Sequence, residues 1–175
     1  MSVEDRAFLF ADAVYEAVPV YSGKCFLPEQ HMSRLASGLT AIGIEFDVRE
    51  FDGVSEQLVD RNDLANVEFS LFYMQVTRGA APRTHAFPVK HLPPTVYAFA
   101  KKLARATPKR WAGGYAAITV PDQRWGRANI KTTGLLPNVL AQQSAVVANV
   151  EDAIFIRDGN TGASRRKNDC DPERA

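Results

Sequence analysis

Between Ala13 and Tyr21 the chain alternates with a period of two: Val14, Glu16, Val18 and Val20 fall on one face, Tyr15, Ala17, Pro19 and Tyr21 on the other. Such alternation predicts a strand. Pro19 cannot donate to a ladder, which places that position at an edge or a bulge. Ser22-Gly23-Lys24 reads as a turn, and Cys25 to Leu27 as the start of the returning strand. The period then changes. Pro28 suits the first turn of a helix, and Met32, Leu35, Leu39 and Ile42 recur at three- and four-residue intervals until Gly43 ends the run. Phe51 to Leu64 predicts a shorter helix with Val54, Leu58 and Val59 inward, weakened at its start by Gly53. Asn66 to Thr77 is apolar on both faces, the pattern of a strand in the middle of a sheet. Thr95 to Ala100, Tyr115 to Val120 and Ala153 to Ile156 read as further strands, Pro137 to Val147 as a helix, and Asp158-Gly159-Asn160 as a turn.

The basic stretch Lys101 to Arg110, ending at Pro108, divides the chain. It predicts a small N-terminal lobe over residues 1–106 and part of a second lobe over 107–160. Residues 161–175 hold no Val, Ile, Leu, Met or aromatic side chain and show no periodicity, so a disordered tail is expected.

Composition narrows the picture. With 46% hydrophobic and 23% charged residues the chain is globular. No apolar run reaches the roughly 20 residues that span a bilayer, and the first residues lack the basic start and apolar core of a secretory signal. A net charge of +1 gives no electrostatic case for nucleic acid or an anionic membrane. Cys25 and Cys170 read as free thiols of a reducing cytoplasm, and His31, His85 and His91 show no metal-ligand spacing.

Three stretches carry candidate chemistry. Lys131 stands alone in a polar loop, Arg127 to Asn138, between a strand and a helix. It is either an ordinary surface lysine or one held by packing, the type that condenses with a carbonyl. His31 and Arg34 are helix-surface neighbours; spacing alone makes them solvated, the alternative being that Arg34 holds an anion. The loop Thr77 to Pro88 follows the central strand and carries Arg78, Arg83 and His85. By composition it is a basic surface loop; an arginine fork there could also grip a carboxylate, with His85 sharing it.

Taken together and in order, five stretches resemble the class IV aminotransferases, which use pyridoxal 5′-phosphate. They are Asp5-Arg6-Ala7-Phe8, Asp12-Ala13-Val14-Tyr15-Glu16, His31-Met32-Ser33-Arg34-Leu35, Gln75 to Gly79 with Pro82 to Pro88, and Asn129-Ile130-Lys131 with Leu135 to Asn138. The resemblance runs from about Asp5 to Asn160, and the Pro82 to Pro88 piece looks most like the D-amino acid aminotransferase branch. It implies an α+β, two-lobed fold with a near-complete N-terminal lobe and an incomplete cofactor lobe. It implies that Lys131 holds the cofactor as an internal aldimine and later moves the substrate proton, and that Arg34 binds the cofactor phosphate. Arg83 and His85 would take the substrate carboxylate with Tyr15, from the neighbouring subunit of a homodimer. Arg124, near the lysine loop, would approach the cofactor, and no role follows for Glu16. The implied substrates are a D-amino acid and a 2-oxo acid. The alternatives are a branched-chain aminotransferase, an aminodeoxychorismate lyase, or a truncated product without activity.

Departures from the family pattern bear on these expectations. Ala11 and Ala13 flank Asp12 where relatives carry glycine, so strain is expected if the backbone there needs positive φ. Relatives have further strand sequence upstream. After the turn at Asp158-Gly159-Asn160 they carry Thr-Glu-Gly, whose glutamate pairs with the pyridine nitrogen; here Thr161-Gly162-Ala163-Ser164 follows. A shifted reading frame or aberrant end, and little turnover by this chain alone, are the corresponding expectations.

Overall fold

The computed structural model describes residues 1–161. The expected tail, Thr161 apart, lies outside them. The described residues form two compact units, one made of Met1–Leu103 with Asn129–Gly134, the other of Ala104–Ala128 with the chain from Leu135 onward.

The first unit opens with a five-residue helix, α1 (Arg6–Phe10), capped by the Asp5 side chain on the Ala7 amide. Strand β1 (Ala13–Tyr21) then turns through Ser22 and Gly23, both at positive φ, into the two-residue β2 (Lys24–Cys25). Consecutive positive φ values are the geometry of a tight hairpin turn. Helix α2 (Pro28–Ala41) follows, then a 3-10 turn (Val48–Phe51), α3 (Val54–Arg61), β3 (Phe69–Thr77) and β4 (Val96–Lys102). The helix expected over Phe51 to Leu64 is thus two pieces: the 3-10 turn stops at Phe51 with Asp52 as its cap, and Gly53, at φ +71°, caps the start of α3.

The sheet order is β2-β1-β3-β4, all antiparallel, with β3 interior as its apolar faces require. Register pairs Val14 with Val76, Val18 with Phe72, and Phe72 with Ala100, so these residues share one face. Leu35 and Leu39 of α2 and Val59 of α3 pack into the same cluster. Each fully buried leucine contributes about 1.5–3 kcal/mol of burial. The opposite face is an aromatic row: Tyr15 stacks on Tyr73, which stacks on Phe99, at 5.5 and 5.0 Å between centroids.

Pro19 sits where β1 pairs with β3 on one side only. Its carbonyl accepts from the Phe26 amide, so its missing N–H faces away from β3 and costs no rung.

The second unit contains α4 (Pro108–Ala112), β5 (Ala117–Pro121), α5 (Leu136–Val147), β6 (Asp152–Arg157) and β7 (Asn160–Thr161). The basic stretch read as a linker is therefore partly regular: β4 runs to Lys102 and α4 starts at Pro108. Strands β5 and β6 are parallel, and Ala141 and Ala145 of α5 pack on Ala153 and Phe155. Among the described residues no helix is long and apolar enough to cross a membrane.

Candidate functional site

The short reach of β2 decides where Lys131 lies. β2 pairs only with Val20 and Tyr21, which leaves the Ala13–Tyr15 end of the same edge open. The segment Asn129–Gly134 fills it. Tyr15 donates its amide to the Lys131 carbonyl at 3.1 Å, Thr133 donates to the Ala13 carbonyl at 3.4 Å, and Val14 bridges Thr132. Ile130, 3% exposed, anchors the segment in the main core. Held this way, Lys131 is half-buried, and its Nζ sits over the Tyr15 ring, 4.2 Å from the centroid. That distance is within the range of a cation–π contact. Two residues along the chain, Thr133 Oγ1 is buried with no hydrogen-bond partner among the described residues.

Glu16, the next residue of β1, points to the opposite face and is fully buried. Arg34 reaches it from α2 with two donors, Nε and Nη2, each 2.6 Å from a carboxylate oxygen. His31 Nδ1 lies 2.8 Å from the same carboxylate. Burial alone would push the Glu16 carboxyl up; hydrogen bonds from Arg34 and His31 outweigh it and hold it below the ordinary carboxylate value. The guanidinium is half-exposed, and its Nη1 has no protein partner among the described residues. Sequence reasoning assigned Glu16 no role. The available signal was a lone carboxylate in the inward register of Val14, Val18 and Val20.

Arg83 and His85 stand exposed on the loop after β3 and lie against Phe10 of α1, at 5.2 and 5.5 Å from its ring. The stacking partner of Tyr15 is Tyr73. Under the loop runs a second buried network. Asp12 accepts from Arg6 at 2.8 Å and from Arg78 at 2.7 and 3.0 Å. Burial raises the Asp12 carboxyl, and the hydrogen bonds from Arg78 and Arg6 more than reverse this, leaving it lowered. Arg78 also donates to the carbonyls of Ile42 and Gly43 behind α2. Arg124 belongs to the second unit, where it pairs with Asp122 and lies over the Phe155 ring.

Comparison with known proteins gives the family. The profile of the class IV amino-transferases matches residues 13–161, and the chain belongs to that family. The D-alanine aminotransferase of Staphylococcus epidermidis is 38% identical over 156 residues, covering 88% of this chain and 54% of that protein. That of Bacillus licheniformis is 37% identical over 159 residues, covering 91% and 55%. The chain spans about half the length of these curated relatives. Among solved structures, the branched-chain amino acid aminotransferase of Escherichia coli superimposes with a TM-score of 0.76 at 15% identity, over 94% of this chain and 57% of that one. A PLP-bound hypothetical aminotransferase from Mycobacterium tuberculosis gives 0.73 at 21% identity, over 94% and 59%. The described residues therefore carry part of the α+β fold of the class IV aminotransferases.

Do the residues fit a phosphorylated aldehyde? Lys131 offers an amine over the Tyr15 ring, Arg34 a guanidinium with one nitrogen unused beside Glu16 on the other face of β1, and Thr133 an orphaned buried hydroxyl. An amine to meet a carbonyl and donors to meet an anion suit such a cofactor.

Proposed function

We propose that this chain carries part of the active site of a pyridoxal 5′-phosphate-dependent transaminase that moves an amino group from a D-amino acid to a 2-oxo acid. The observation that supports it most is the placement of Lys131: its carbonyl is pinned to the Tyr15 amide, so its amine rests on the Tyr15 ring. When bound, the cofactor supplies the aldehyde that accepts the amino group and the ring that takes up the electron pair of the broken Cα–H bond.

The chain's own residues have the remaining work. Lys131 receives the proton from the substrate Cα and returns it to the product side. Tyr15 keeps that amine in one place and narrows its access to water. Arg34, fixed by Glu16 and His31, turns its free Nη1 toward the cofactor phosphate. Arg83 and His85, exposed and set against Phe10, take the carboxylate of the substrate bound to a second copy of the chain in a homodimer. The D-specific reading draws on the Pro82 to Pro88 loop and on relatives named for D-alanine.

A stoichiometric reaction tests it. The chain is loaded with pyridoxal 5′-phosphate and given D-alanine, L-alanine or L-leucine, and the visible band of the bound cofactor is followed. Loss of the band with D-alanine alone, with one equivalent of pyruvate formed, is the expected result. Response to L-leucine and not D-alanine would give the site to the branched-chain reading.

A further inference from the structure

Residues 79–95 contain no helix or strand, yet this is the segment that presents Arg83 and His85. Something outside it must fix its shape. Three observations identify what does. Arg6 is 3% exposed, and its Nη1 donates to the Thr84 carbonyl at 2.7 Å and, more weakly, to the Ala86 carbonyl at 3.5 Å. Those two carbonyls flank His85. The Arg6 Nε is held at the same time by Asp12, which Arg78 grips from the other side. The backbone repeats the tie: Arg6 donates its amide to the Gly79 carbonyl, Ala81 donates to Glu4, and Asp5 bridges Ala80. Gly79, at φ +96°, lets this crossing form, since a Cβ there would come within 2.4 Å of the Pro93 carbonyl oxygen.

We infer that Arg6 is a positioning residue for substrate binding: it sets the path of the Thr84–Ala86 backbone and so the direction in which Arg83 and His85 face. The grip is a charge-assisted bond to backbone oxygens, independent of the loop's side chains. The fork matters because one guanidinium serves Asp12 and the loop at once. A lysine can neutralise Asp12 and has no rigid second arm for the carbonyls. The link to substrate rests on the proposed role of Arg83 and His85; the link to loop shape does not.

The test compares the full chain with Arg6→Lys, and with Leu35→Ala as a core variant that leaves the loop untouched. Tryptic cleavage after Arg83 is timed under native conditions, and the His85 ring signals are recorded by NMR. Arg6→Lys is expected to speed that cut roughly tenfold, as loss of one charge-assisted bond does for a local opening. It should also move the His85 signals, whereas Leu35→Ala should not. With cofactor bound, Arg6→Lys should raise the D-alanine concentration needed for half-bleaching of the band and leave the full amplitude intact. Native-like cleavage and unmoved His85 signals in Arg6→Lys would overturn the inference. So would equal effects from Leu35→Ala. If Arg6→Lys does not fold, the native chain decides: resolved, slowly exchanging Arg6 Nη protons support the grip, and one averaged signal refutes it. Absence of the cofactor band in the native chain would end the functional reading and leave the loop result standing.

Discussion

Glu16 and Arg34 form a two-point pair in which only one member is buried: the carboxylate is fully enclosed, while the arginine side chain is 53% exposed. The asymmetry sets an order for two substitutions. Arg34→Met strands a buried carboxylate with His31 as its remaining partner, and should cost about 2–3 kcal/mol. Glu16→Met places an apolar chain beside Val14 and Val18 and frees a guanidinium that water can solvate, so it should cost about 1 kcal/mol or less. Urea denaturation of the two variants checks the order; equal losses, or the reverse order, contradict it.

Two of the enclosed carboxylates, Glu16 and Asp12, bear on the response to acid. Both Glu16 and Asp12 are lowered in the folded chain from ordinary values of 4.5 and 3.8. A depressed carboxyl contributes stability that is complete above its unfolded value and is lost as pH falls through the folded one. Urea midpoints should be flat from pH 7 to about 5 and fall below about 4. Asp12→Asn should lower the plateau and make the acid fall shallower; an unchanged fall would show that Asp12 is not one of its sources.

Ala11 ends α1 at φ 55° and ψ 31°, the left-handed region that glycine enters without steric cost. An L-residue there carries roughly 1–2 kcal/mol of strain, offset in part by glycine's greater freedom when unfolded. Ala11→Gly is expected to raise stability by about 0.5–1 kcal/mol, which a thermal melt would show. A lower melting temperature would mean that the backbone bonds Ala11 makes, donating to Ala7 and accepting from Ala13, already absorb the strain.

Gly38 presents the opposite case. Alanine is the better helix former by about 1 kcal/mol. A Cβ at Gly38, however, would sit 2.8 Å from Val14 Cγ1, and Val14 is a stiff, fully buried side chain. Overpacking of this kind costs about 1–3 kcal/mol, so Gly38→Ala should destabilise on balance. A stabilised variant would show that α2 can move off β1.

How much of this was legible beforehand follows from range. The strand β1 and the helix α2 have strong local periods and β3 is apolar on both faces, and these patterns predict them. Five-residue α1 has no period to read; it rests on the Asp5 cap and on the bond from Arg6 to Gly79, residues far apart in sequence. Lys131, Arg34, Arg83 and His85 were found through wording shared with a family, and spacing alone left each of them open. The partners that orient them escaped notice. Glu16 looks like one charge in an apolar face until Arg34 is folded over it, and Arg6 looks like a terminal cation until Thr84 and Ala86 close on it. Nor does sequence show that β2 is too short to fill its edge, which is what admits the Lys131 segment.

The most direct test concerns the amine at position 131. The purified chain is mixed with pyridoxal 5′-phosphate, its absorption is recorded, and the mixture is reduced with borohydride and digested for mass analysis. The account predicts a visible band, one cofactor fixed to the peptide bearing Lys131, and loss of both in Lys131→Ala. An unchanged band in Lys131→Ala, or cofactor fixed at other lysines and not this one, would contradict it.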